Sequence, residues 1–180
     1  MRGIIFTEYL DFVEAKFGYA TVDQILTIDG LTDEGAYTSV GKYPFEEIVA
    51  LLVETSSKTS VALPNLMSSF GEHVMRVFYK GYPEFFHSSQ DAFTFLSSIE
   101  DVIHPQVLKL YPDAELPSFD IKRVSEDHLE MTYHSARRMG DFAHGLIVGC
   151  LEHYQEKAKI TQENLSEDGT KIRFKIKRRP

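Results

Sequence analysis

The apolar residues of this 180-residue chain change period once, and that change limits the folds open to it. Over the first two-thirds they recur every three to four residues. Phe6, Tyr9, Leu10, Val13 and Phe17, with Glu8, Asp11, Glu14 and Lys16 between them, predict a helix over 3–18 stopped by Gly18. The same period predicts a short helix over 22–28 capped by Thr21, then a loop over 31–43. A helix after Pro44 carries Phe45, Ile48, Val49 and Leu52. Another, opened by Pro64, turns Leu66, Met67, Phe70, Val74, Val77 and Phe78 inward. A long helix is expected over 91–110, capped by Ser89 and ended by Pro112 and Pro117. Beyond it the period falls to two. Residues 119–124 and 128–135 alternate around a turn at 125–127, and 157–164 and 171–177 alternate around 167–169, with a helix over 139–156 between the pairs. Helices followed by two hairpins predict an α+β fold: a helical N-terminal part, then four antiparallel strands covered by helices. No repeat or linker interrupts the chain, so residues 1–180 are expected to form a single domain.

The formal net charge of −8 argues against a nucleic-acid partner, because a phosphate backbone rewards a basic surface. Cys150 is the single cysteine, which excludes an internal disulfide and a multi-cysteine metal site. No apolar run approaches the roughly 20 residues that span a bilayer. Glu8, Asp11 and Glu14 interrupt what would be the apolar core of a signal peptide. The expectation is a cytoplasmic protein without membrane insertion. Thirteen Phe and nine Tyr, with no Trp, can line a large apolar cavity as readily as fill a core.

Two groups of residues could carry chemistry. His104 has Val107, Leu108 and Tyr111 as helical neighbours, a largely apolar face on which a neutral imidazole can hold a metal or haem iron. A core histidine bonded to backbone is the plainer alternative. Pro105 cannot donate a backbone hydrogen bond, so the helix should bend or loosen beside His104. The second group is Tyr133, Ser135 and Arg137. On a strand, residues two apart share a face, so a phenol, a hydroxyl and a guanidinium would point together and could bind carboxylates. An exposed polar hairpin face is the plainer alternative there. His134, His144 and His153 are rival ligands, expected on other faces or at a polar helix end.

A helical histidine beside an apolar face, followed about thirty residues later by Tyr-x-Ser-x-Arg, resembles the haem nitric oxide/oxygen binding (H-NOX) domains, bacterial gas sensors related to the haem domain of soluble guanylate cyclase. The resemblance runs through Met1–Ile5, the Gly71–Phe78 helix, Asp101 to Pro117, Tyr133 to Arg137 and the C-terminal hairpin. It implies a b-type haem held between the helical part and the sheet, with His104 as proximal iron ligand. Tyr133, Ser135 and Arg137 match the residues that bind the propionates, and Pro117 a proline that presses on the porphyrin. Ile5, Tyr9, Val74, Phe78, Phe142 and Leu146 fall where the family lines its cavity.

Phe142 stands where oxygen-binding members carry a distal tyrosine. Without that donor, a bond worth roughly 1.5–3 kcal/mol is missing and dioxygen is weakened about 10- to 150-fold. Nitric oxide and carbon monoxide are therefore the expected ligands, unless Tyr9 supplies a hydroxyl. The resemblance implies a sensor rather than an enzyme. Weakening or release of the iron–His104 bond would change the conformation and regulate a separate protein, a histidine kinase or a cyclic-di-GMP synthase or phosphodiesterase. A haem-free pocket protein that binds a lipid or carboxylate through Arg137 is the main alternative. A small haem enzyme finds no distal acid–base pair to support it.

Overall fold

A computed structural model describes residues 1–179 of the chain. They cluster into two compact units, Met1–Phe70 and the described residues from Gly71 onward, with the division inside one helix.

The first unit is helical. Helix α1 (Gly3–Phe17) and α2 (Tyr19–Ile25) meet at Gly18, whose φ of 86° lies in the region that glycine tolerates best. Helix α2 starts three residues earlier than expected and ends three earlier, at Ile25. Thr21 lies inside it and bonds back to the Phe17 carbonyl instead of capping its start. The loop that follows contains a short 3₁₀ turn, Thr32–Gly35. Its anchor is Glu47 on α3 (Phe45–Thr59), which accepts bonds from the Thr32 hydroxyl and backbone and from the Tyr37 hydroxyl. Leu51, not Val49, joins Ile48 and Leu52 in the core, alongside Phe6, Tyr9, Val13, Ile25, Leu66 and Phe70. Helix α4 (Leu63–Gly81) leads into the second unit.

The second unit carries the sheet. Strands β1 (Ser118–Ser125), β2 (His128–His134), β3 (Ala158–Asn164) and β4 (Lys171–Arg178) run antiparallel in the order β1-β2-β4-β3. The fold is thus mixed helix and four-stranded antiparallel sheet, as expected. On β2 and β4, Leu129, Met131 and Tyr133 pair with Ile176, Phe174 and Ile172, all buried. Polar neighbours alternate with them, as a half-buried sheet requires. Helix α8 (Gly140–His153) adds Ala143, Ile147, Cys150 and Leu151 to that core, and α5 (Glu84–His87) adds Phe86. Helices α4 and α8 pack backbone to backbone. A Cβ on Gly71 would collide with the Phe142 carbonyl, and one on Gly149 would lie 2.8 Å from Met75 Cβ.

The long helix expected over 91–110 is three pieces: α6 (Ala92–Ser97), a π turn (Ile99–Ile103) and α7 (His104–Leu110). Its cap is Asp91, which accepts from the Thr94 N–H at 2.6 Å, and not Ser89. The π turn ends two residues before Pro105. There the missing N–H and the proline ring work against the regular four-residue ladder, and the bonds from Ile103 N–H to Ser98 and His104 N–H to Ile99 span five residues instead. The loosening expected beside His104 takes this form.

Among the described residues, no helix is long and apolar enough to cross a membrane, and no group of three or more His, Cys, Asp or Glu side chains is placed to share a metal ion.

Candidate functional site

His104 opens α7, directly after the π turn. No residue of α7 is buried, and Leu108 is 40% exposed, so the apolar face expected around His104 is not a closed core. The ring lies 6.2 Å from that of Phe119 on β1. Its Nδ1 is 3.2 Å from Glu100 Oε1, and the same oxygen accepts the Phe119 backbone N–H at 2.8 Å. Partial burial lowers the imidazole pKa, and the Glu100 carboxylate opposes that shift without overcoming it. With Nδ1 turned toward the Glu100 carboxylate, a neutral ring would carry its proton there. That leaves the Nε2 lone pair for a metal. A single imidazole beside a carboxylate would fit a haem iron, whose remaining ligands the porphyrin itself would supply.

Tyr133, Ser135 and Arg137 do not share one strand face, which corrects the expectation. Strand β2 ends at His134, and Arg138 with φ of 56° turns the chain toward α8. Period two therefore stops after Tyr133. The Tyr133 ring is buried and its hydroxyl accepts the Met139 N–H at 3.0 Å. Ser135 Oγ accepts the Arg137 N–H at 3.2 Å. The Arg137 guanidinium donates to the Glu115 carbonyl and, at 2.7 Å, to the Glu115 carboxylate. Glu115 is 72% exposed, so this ion pair is weak and open to exchange for another carboxylate. Arg137 thus draws the 111–117 loop, with the half-buried Pro117 at its end, against the motif. A guanidinium whose partner is an exposed carboxylate fits a propionate.

Of the other expected lining residues, Val74 is buried and Phe78, Phe142 and Leu146 are half-buried on the packed pair α4 and α8. Ile5 and Tyr9 belong to the first unit. Ile5 is half-buried on α1. Tyr9 is fully buried, and its hydroxyl donates to Thr55 Oγ1 at 2.7 Å, with the Leu51 carbonyl at 3.3 Å. Burial pushes the Tyr9 phenol well above its usual range against the opposing Thr55 bond.

The rival histidines point elsewhere. His134 bonds Asp120 at 2.8 Å, and His144 lies over Phe174 of the sheet. His153 is the last residue of α8 and is half-buried. Its ring is enclosed by Tyr79, Phe86 and Tyr154, with centroids 4.6, 5.0 and 4.8 Å away. An open groove of about 520 Å³ lies between α6, the π turn and β1 and is lined mainly by polar groups, sharing only Glu100 and Phe119 with the surroundings of His104. Glu100 and Glu115 escaped the sequence reading. Glu100 stands four residues before His104, a helical pairing distance that was visible there. Nothing local connects Glu115 to Arg137.

Residues 2–162 match the haem-NO-binding family model. No protein of curated function matches the chain significantly. Among solved structures, the Fe(II) unliganded H-NOX protein from K. algicida superposes with a TM-score of 0.95 at 42% identity, over 100% of this chain and 97% of that one. The IWP-051-bound H-NOX from Shewanella woodyi in the Fe(II)CO state gives 0.84 at 38% identity, over 100% and 95%. An H-NOX protein from S. oneidensis in the Fe(II)NO state shares the fold with a TM-score of 0.89, at 23% identity over 100% of both chains. With the family model matching most of its length and relatives of this identity across all of it, the chain belongs to the haem-NO-binding (H-NOX) family.

Proposed function

We propose that this chain is a haem-based nitric oxide sensor, acting as one domain over residues 1–180 in the cytoplasm, and not an enzyme. His104 would hold the iron through Nε2. Tyr133, Ser135 and Arg137 would bind the propionates, with Arg137 leaving Glu115 to do so. Pro117, Ile5, Tyr9, Val74, Phe78, Phe142 and Leu146 would line the cavity. Bound there, a b-type haem supplies a ferrous iron that takes up nitric oxide or carbon monoxide. The observation that carries this reading is the His104 imidazole with its Nδ1 3.2 Å from the Glu100 carboxylate, in a chain of the haem-NO-binding family. Related H-NOX proteins are known in Fe(II)NO and Fe(II)CO states, which supports the choice of gases.

Dioxygen is excluded in this reading because neither candidate donor is available. Phe142 has no polar hydrogen, and the single hydroxyl proton of Tyr9 is committed to Thr55. A change at Nε2 would reach the chain through His104 and α7. Glu100 would transmit that change to the Phe119 backbone at the start of β1. The output partner, a histidine kinase or a cyclic-di-GMP synthase or phosphodiesterase, rests on the resemblance alone.

The test is the absorption spectrum of dithionite-reduced protein under nitrogen, after air and after nitric oxide. A histidine-ligated ferrous band that ignores air and shifts with nitric oxide is expected. A stable oxy spectrum would overturn the exclusion of dioxygen. No haem band after reconstitution with hemin would overturn the sensor reading and leave a haem-free pocket protein.

A further inference from the structure

We infer that Glu100 is the positioning residue of the iron ligand: its carboxylate ties His104 through Nδ1 to the backbone of β1, which holds the Nε2 lone pair in place and strengthens it as a donor. The inference rests on the haem reading above.

Helix α7 does little to place the His104 ring. None of its residues is buried. The π turn before it lacks the regular ladder, and Pro105 contributes no N–H. Glu100 supplies what the helix does not. Its Oε1 lies 3.2 Å from His104 Nδ1 and accepts the Phe119 N–H at 2.8 Å. That donor is rigid, because Phe119 pairs with Tyr133 in the sheet. A carboxylate can only accept, so the proton of the neutral ring sits on Nδ1 and the lone pair on Nε2. A negative acceptor at Nδ1 also pushes electron density toward Nε2, as carboxylate partners do for other metal-bound histidines. The neighbouring Asp101 is exposed and makes no such bridge to His104 among the described contacts.

Two measurements on wild type, Glu100→Gln and Glu100→Ala test this. The first uses ¹⁵N-labelled, haem-free full chain, with the His104 ring signals identified by their loss in His104→Gln. Wild type should hold the Nδ1–H tautomer, and the ratio of Nδ1–H to Nε2–H should fall about tenfold or more in Glu100→Ala. Glu100→Gln keeps an acceptor oxygen without the charge and should fall between. The second uses hemin-loaded, reduced protein and follows the iron–histidine stretch by resonance Raman. The band should move to lower frequency from wild type through Gln to Ala. A wild-type ring found mainly as Nε2–H, or a stretch identical in all three proteins at equal haem load, would overturn the inference. If Ala does not fold, the Gln variant carries both readings. If no protein takes up haem, the sensor reading fails, while the tautomer ratio still decides the role of Glu100.

Discussion

At the scale of single residues, the proposed choice of gas turns on hydroxyl protons. Tyr9 has one, and it is spent inside the first unit on Thr55, which passes its own to the Leu51 carbonyl. Tyr9→Phe should therefore leave the response to air unchanged. It should cost about 0.5–1.5 kcal/mol of stability in urea, the ordinary value of one buried hydrogen bond. Phe142→Tyr should do the opposite. It restores a donor where the family's oxygen binders have one, and should strengthen dioxygen binding about 10- to 150-fold, read from oxygen titrations of the ferrous protein. An unchanged titration would show that position 142 does not face the bound gas.

At the scale of elements, the segment that carries His104 hangs from its two ends. At the N-terminal end, Asp91 caps α6 through the Thr94 N–H and pairs with Arg178 at 2.8 Å. Arg178 also pairs with Glu156 at 2.8 Å and lies 4.3 Å from the Phe93 ring centroid. Glu156 in turn accepts the Ala92 N–H. Burial alone would raise the Asp91 carboxyl, but the bonds from Thr94 and Arg178 outweigh it and bring the pKa down to about 2. A depressed carboxyl stabilises the fold fully above its unfolded value near 4, and that contribution is lost as the pH falls toward 2. Asp91→Ala should cost about 1–2 kcal/mol at pH 7, typical of a lost cap. The gap between mutant and wild type should close between pH 4 and pH 2 in urea midpoints taken across that range. A gap that persisted at pH 2 would assign the effect to packing instead. At the C-terminal end, the π turn and Glu100 replace helical regularity between α6 and α7.

At the scale of the whole molecule, each of the two units has its own apolar core. A ligand that binds only the folded chain stabilises it in proportion to the logarithm of its excess over Kd. Hemin should raise the unfolding temperature, by the equivalent of about 2.7 kcal/mol at a hundredfold excess over Kd. His104→Ala should lose most of that gain, and calorimetry with and without hemin measures both. Equal stabilisation of the two proteins would mean that the haem does not depend on His104.

Much of this protein follows from local rules. Burial on a helix repeats every 3.6 residues and on a strand every two, so the order of helices, hairpins and α8 could be read along the chain without knowing any distant contact. The same holds for Pro105, whose missing N–H disturbs the helix wherever the helix lies. The candidate ligand and motif were legible for a related reason: imidazole, phenol, hydroxyl and guanidinium carry their chemistry with them. Tertiary structure alone decided how those groups are used. The proton of Tyr9 goes to a residue 46 positions away, and Arg137 reaches back 22 positions to Glu115. The Tyr133–Arg137 motif leaves its strand after two residues because Arg138 must turn into α8. Periodicity reports which face of an element meets the core. Hydrogen-bond partners depend on which other element arrives there, and only the folded chain brings Glu100, His104 and the Phe119 backbone to one oxygen atom.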